Sequence, residues 1–468
     1  MPERRMPLLG LCPIGKFVFS HEDALRFKAL IERRLDGWGV PYVNIDDAAP
    51  EGLIHDVSDV AGVVAHLKQQ QVDAVFMPHC NFGTEHAVGL IGRELGVPVL
   101  VWGPRDEAPL PDGTRLRDTL CGLLASTKVL RRLGVPFTYI ENCRLDDAAF
   151  EAGLDTFLRA VNVAGALRRG LRIGQVGQRI DFFWTTIVNE GELLERFNIE
   201  VLPIDLVEFI DAVRGRVARA EADYREQMAA LRAELDVEGF DDDRPLMNVL
   251  AVRDELLALR DEHGLDGFAF KTFMSVINAL GTYTCFADAL VAEQCPIALE
   301  TDIHGAISNV LLDRAAFGEA ATFAAEFTVR HPENDNAVLL WHAGAPLSMC
   351  HPEVRPRIGA HWILPSPLSG MPHFRLKDGP LTVARFDGDR GEYRLAVGEG
   401  RSTDGPETLN NYVWMEVDDW PRWERTLMEG PFIHHCGMVY GRHGDALVEA
   451  CKYVPGLEPV RLDGGGAR

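Results

Sequence analysis

Between residues 7 and 170 short apolar runs alternate with amphipathic stretches, a pattern that commits this part of the chain to a parallel sheet flanked by helices. Strand-like runs stand at Pro7–Cys12, Pro41–Ile45, Ala74–Pro78, Pro98–Trp102 and Pro136–Ile140, with helical periodicity at His21–Leu35, Asp59–Gln70 and Glu85–Leu95. Open sheets of this kind bind ligands at the carboxyl ends of their strands. A second α/β unit is expected from the strand Leu171–Val176 onward, with charged helical regions at Leu206–Leu235 and Pro245–Glu262. Its further strands are expected at Gly267–Lys271, Pro296–Glu300 and Ala337–His342. After about residue 355 the helical period gives way to short strands broken by Gly, Asp and Pro: Phe374–Leu376, Leu381–Phe386, Glu392–Val397 and Tyr412–Val417. The expected class is therefore α/β: two doubly wound α/β domains, residues 1–170 and 171–355, followed by a β-rich, barrel-like domain over 356–468.

Charge and composition exclude several functions. A formal net charge of -23 disfavours nucleic acid and anionic lipid as partners, because both need a basic face. A small polar substrate and a metal cation fit better. No run approaches the roughly 20 apolar residues needed to cross a bilayer, and Met1-Pro-Glu-Arg-Arg does not read as a signal peptide. The nine cysteines are scattered without a C-x-x-C pair, as reduced thiols would be, and the expected location is cytoplasmic.

Some motifs invite a reading they do not support. Gly10-Leu-Cys-Pro-Ile-Gly15-Lys16 follows a strand and matches most of a phosphate loop, but Phe17 stands where Ser or Thr must hold magnesium. Pro13 also removes a backbone N–H from the cradle. The Gly-x-Ser-x-Gly and His-Glu-x-x-His signatures are absent.

Three stretches carry chemistry. The strand Cys295–Leu299 runs into Glu300-Thr301-Asp302 and then a helix from Ile303. On a strand, positions i and i+2 share a side, so Glu300 and Asp302 can present two carboxylates together, a donor pair suited to Mn²⁺ or Mg²⁺. Asp302 is equally suited to cap the following helix, and spacing leaves both roles open. In Gly430–Gly444 the pair His434-His435 at a strand end puts one imidazole on each face, so that one could meet a metal and the other substrate. His342 ends the apolar strand of Val338–Ser348, either as a pocket residue or as a satisfied semi-buried histidine.

Together these segments resemble the L-fucose/L-arabinose isomerase superfamily. The matching elements are Ala298–Asp302 followed by His304-Gly305-Ala306, then WHAGAPLS, then HHCGMVYG before a helix, with NFGTEHAVGLIGRELGVPVLVWG and NEGELLERFNIEV in the first half. The resemblance runs over nearly the whole chain. It implies a cytoplasmic, metal-dependent enzyme that interconverts an aldose and a ketose through an enediol, with Mn²⁺ as the cofactor. It also implies a homo-oligomer whose sites lie near subunit interfaces. Carried over residue by residue, it makes Asp302 and His435 metal ligands; the family's Glu does not carry over cleanly, its nearest match being Asp288, and Glu300, which needs no gap, is taken as third ligand or base with Asp288 in reserve. His342, His434 and Lys271 would hold sugar hydroxyls. His79, Asn81 and Glu85 are the first-half residues expected to reach a neighbour's site. Two alternatives stand beside this: an isomerase or epimerase of a modified or acidic sugar on the same scaffold, and a non-catalytic sugar-binding protein.

Overall fold

The computed structural model describes residues 6–240, 242–363 and 368–464. The chain divides into two compact units, residues 2–165 and 166–468.

In the first unit five strands, β1 (Leu9–Leu11), β2 (Tyr42–Val43), β3 (Ala74–Pro78), β4 (Val99–Trp102) and β5 (Phe137–Tyr139), form a parallel sheet in the order β2-β1-β3-β4-β5. Every residue of β1, β3 and β4 is buried, as expected for strands covered by helices on both faces. The strand order reverses between β1 and β3. At the carboxyl end of β3, His79 Nε2 meets Ser126 Oγ at 2.8 Å, and Asn81 Oδ1 accepts from the Lys16 N–H at 2.8 Å. Glu85 opens the next helix, Glu85–Leu95.

The second unit opens with β6 (Leu171–Val176), β7 (Ile199–Ile204), β8 (Asp236–Val237), β9 (Gly267–Phe270) and β10 (Ile297–Ala298). Four of these make a parallel sheet in the order β10-β9-β6-β7, and β8 joins the edge of a larger sheet. The charged region Leu206–Leu235 is two helices, Leu206–Arg219 and Glu221–Glu234, separated at Ala220. Phe268 and Phe270 of β9 bury into the core these helices share with Arg244–His263.

The remaining strands are β11 (Thr322–Arg330), β12 (Ala337–His342), β13 (Arg357–Ala360), β14 (Ser369–Arg375), β15 (Pro380–Asp389), β16 (Glu392–Thr403), β17 (Asn411–Glu416), β18 (His435–Tyr440) and β19 (Leu457–Arg461). Six of them run in the order β16-β15-β18-β11-β12-β17, and pairing of β16 with β17 closes the ring. Two α/β sheets followed by a closed, largely antiparallel barrel is the expected class. The strand β12, expected with the middle sheet, lies in the barrel between β11 and β17.

Alternation turns Phe323, Ala325, Cys436 and Met438 into the barrel core. Ala324, Glu326, His435 and Gly437 therefore point the other way, and register pairs Glu326 with His435 and Ala324 with Gly437. The helix Ile303–Ala315 lies against this outer face. It can do so because Gly437 has no side chain: a Cβ there would stand 2.6 Å from Asn309 Oδ1. Close packing brings the helix N-terminus, and Asp302 with it, to His435.

Among the described residues no single helix is long and apolar enough to cross a membrane, although the bent pair Met274–Leu280 and Cys285–Ala292 passes on length and composition. Most of that pair is buried within the second unit.

Candidate active site

Four side chains from four segments converge in the second unit. Glu300 follows β10, Glu326 lies in β11, His342 ends β12 and His435 begins β18. One donor atom from each lies within 4.8 Å of every other. His342 Nε2 stands 3.2 Å from Glu326 Oε1, and His435 Nε2 stands 3.3 Å from Glu300 Oε2 and 3.5 Å from Glu326 Oε1.

The expected strand geometry around Glu300 is replaced by a turn. The strand ends at Ala298, so the i, i+2 relation of Glu300 and Asp302 does not apply. Glu300 and Thr301 are instead consecutive non-glycine residues in the left-handed region, with φ of 60° and 58°. Such backbone costs roughly 1–3 kcal/mol per residue and gathers where surrounding structure imposes it, typically at functional sites. The turn is tied by Glu300 N–H to Thr272 Oγ1 at 3.3 Å and Thr301 N–H to the Phe270 carbonyl at 3.1 Å.

Asp302 stands behind the four. It caps the helix Ile303–Ala315, with Oδ1 accepting from Gly305 N–H at 3.0 Å. Its Oδ2 receives His435 Nδ1 at 3.0 Å, and both oxygens meet the Arg385 guanidinium. A ring held at Nδ1 presents Nε2 to Glu300 and Glu326, the arrangement by which a carboxylate orients a metal-binding histidine. His434 is half exposed, with its ring centroid 4.3 Å from that of His435 and Nε2 3.8 Å from Glu326. Asp288, on the helix Cys285–Ala292, is fully buried outside the four, with neither carboxylate oxygen partnered. Lys271 follows β9 with its stem against Gly177, and among the described residues no acidic side chain pairs with it.

Glu326 is the residue that sequence reasoning missed. Its run, Thr322–Arg330, carries one acid among apolar neighbours, and that intruder is the only local signal. The register that sets it against His435 is a long-range fact.

The electrostatics suit a bound cation. Burial opposes ionisation of Glu326, yet the imidazoles of His342 and His435 hold its carboxyl well below the usual range. Burial likewise opposes charge on His435, but its contacts with Asp302, Glu300 and Glu326 push it well above an ordinary histidine. His342 is raised by Glu326 against the opposing effect of burial. His435 Nε2 is a buried nitrogen without a hydrogen-bond partner, facing two carboxylates. Two carboxylates and two imidazoles form a mixed oxygen and nitrogen set of the kind that holds a first-row divalent metal. The residues present fit such an ion.

Residues 10–168 match the family model for the N-terminal domain of fucose/sulfoquinovose isomerase, and residues 370–455 match that for the L-fucose isomerase C-terminal domain. Proteins named sulfoquinovose isomerase from Priestia aryabhattai and Priestia megaterium are each 27% identical over 447 residues, covering 93% of this chain and 95% of theirs. Another of that name, from Alkalicoccus urumqiensis, is 26% identical over 72% of this chain and 74% of its own. Fold, family models and relatives together define a sugar isomerase of the aldose–ketose class. Within that class, the chain belongs to the fucose-isomerase-like family.

Proposed function

We propose that this protein is a divalent-metal-dependent isomerase that converts an anionic aldose of the sulfoquinovose type into its ketose. The observation that carries the metal reading is the convergence of Glu300, Glu326, His342 and His435 within 4.8 Å. The relatives' name supports a sulfonated substrate over a neutral one.

Glu300, Glu326, His342 and His435 would hold the ion, with Mn²⁺ as the proposed metal. A divalent cation there polarises a sugar carbonyl and stabilises the negative charge of an enediol. Glu326, set between His342 Nε2 and His435 Nε2, serves as a fixed ligand. Glu300, on the turn and less deeply buried than Asp302, is the ligand that would also serve as base, taking a proton from one carbon and returning it to the next. Asp302 holds His435 rather than the reacting carbons, because both its oxygens are committed. His434 meets a sugar hydroxyl from its half-exposed position. Lys271, a cation without an acidic partner among the described residues, two residues before the Phe273 that precedes the helix Met274–Leu280, is the group suited to the sulfonate. A homo-oligomer with sites near its interfaces belongs to the same reading.

The test is a substrate panel followed by NMR: sulfoquinovose, glucose, L-fucose and L-arabinose, each with metal-stripped protein and after Mn²⁺ is restored. Ketose signals from sulfoquinovose alone, restored by Mn²⁺, would support the proposal. Turnover confined to the neutral sugars would reject the substrate class, and turnover without metal would reject the cofactor.

A further inference from the structure

Behind the four-residue cluster runs a chain of buried polar side chains that no chemical step uses. His435 Nδ1 meets Asp302 Oδ2 at 3.0 Å. Arg385 grips Asp302 through both terminal nitrogens, Nη2 to Oδ1 at 3.2 Å, and its Nε donates to Asp387 Oδ2 at 2.8 Å. Asp387 Oδ1 meets His304 Nδ1 at 3.1 Å and also accepts from Gly388 N–H at 2.9 Å. His304 packs edge-on against Phe386, 5.4 Å between centroids, and Tyr393. Relative exposure runs from 1% for Asp302 and Arg385 through 2% for His304 to 6% and 8% for Asp387 and His435.

Stability does not account for such a chain. Desolvating buried ions costs several kcal/mol each, and well-packed apolar replacements are often neutral or better. What the chain supplies is geometry. His435 offers Nε2 to a metal only while Nδ1 carries the proton and the ring is turned toward Glu300 and Glu326. A carboxylate on one bond could rotate and join the cluster itself. The fork of Arg385 occupies both oxygens of Asp302 and removes that freedom, and the fork is in turn set by Asp387, whose other oxygen His304 engages.

We propose that Arg385, Asp387 and His304 are positioning residues for the metal: a buried relay that fixes the ring orientation of His435 and keeps Asp302 out of the ligand set. The proposal rests on the reading of the four-residue cluster as a divalent cation site. None of the three touches substrate, so they act on metal affinity and ligand geometry before they act on chemistry.

The experiment titrates Mn²⁺ calorimetrically into metal-stripped wild type, Asp387→Asn, His304→Asn and His304→Leu, and records the visible spectrum of each after loading with Co²⁺. Asn at position 304 can keep a donor toward Asp387, whereas Leu cannot. Asp387→Asn and His304→Leu are expected to bind Mn²⁺ about 10-fold or more weakly, with a displaced Co²⁺ band, and His304→Asn to stay within about threefold of wild type. A merely structural role would lower thermal stability and leave the affinity and band of the folded protein unchanged. If Asp387→Asn does not fold, the His304 pair decides. Equal affinities and spectra for His304→Leu and wild type overturn the relay while leaving the metal site standing. A wild type that binds neither Mn²⁺ nor Co²⁺ overturns the metal reading and the relay with it.

Discussion

Asp302 and His435, 133 positions apart in sequence, meet at 3.0 Å between a carboxylate oxygen and Nδ1. The contact exists because the helix that Asp302 caps lies on a strand whose outer face is cut away at Gly437. The carboxylate has no slack. A Cβ at Gly305 would stand 2.5 Å from Asp302 Oδ2 and 3.3 Å from Arg385 Nη1.

Gly305→Ala is therefore expected to push Asp302 off His435 without touching the four clustered residues. Mn²⁺ affinity should fall about 10-fold, the usual scale for disturbing a ligand's outer partner. Calorimetric titration measures it, and an unchanged dissociation constant would show that the Asp302 contact does not support metal binding.

Glu326→Gln and Asp288→Asn separate an acid that the sequence alone does not single out from one that it does. Glu326 touches both imidazoles, and its loss should lower kcat/KM by about 100-fold or more. Burial pushes the Asp288 carboxyl above its ordinary range, and Asp288 lies outside the four-residue cluster. Turnover of Asp288→Asn should stay within about threefold of wild type. Comparable losses in the two variants would mean that Asp288 reaches the site.

Lys271→Met should discriminate between substrates. A lost charge-assisted contact is worth roughly 1.5–3 kcal/mol, or about 10- to 100-fold in kcat/KM on a sulfonated aldose. A slow neutral substrate should change by no more than about threefold. Equal losses on both would assign Lys271 to the shared hydroxyls or to structure.

The first unit should show acid sensitivity traceable to His79. Burial lowers this imidazole from the ordinary 6.5 to about 4. The unfolded chain thus takes up a proton near 6.5 that the folded state refuses until about 4. His79 is neutral in both states above pH 6.5, and stability is lost as pH falls from there toward 4. Between pH 7.5 and 5 the loss is about 2 kcal/mol. Denaturant unfolding of wild type and His79→Gln at the two pH values measures it. The variant should lose less by that amount, and identical pH dependence would place the titration elsewhere.

The architecture was legible where burial on both faces leaves continuous apolar runs, as in Ala74–Pro78 and Val99–Trp102. His435 and His342 were legible as histidines bordering apolar strands. Glu300 was found for a reason that does not hold in space: the expected strand stops at Ala298, and two left-handed residues turn the carboxylate into the cluster. Non-glycine residues give no local sign of that conformation. Glu326 was not found, because one acid in a strand reads as a solvent-facing residue until β11 is paired with β18. Asp302 drew both a ligand and a cap reading. It caps its helix and orients His435, a combination that only the fold brings together.

The most direct measurement is a titration of metal-stripped wild type and Glu326→Gln with Mn²⁺, following bound metal and sulfoquinovose turnover in the same samples. Wild type should take up one Mn²⁺ per chain with activity rising in step, while Glu326→Gln gains neither. Full turnover by stripped wild type, or normal Mn²⁺ uptake by Glu326→Gln, would contradict the four-residue metal site.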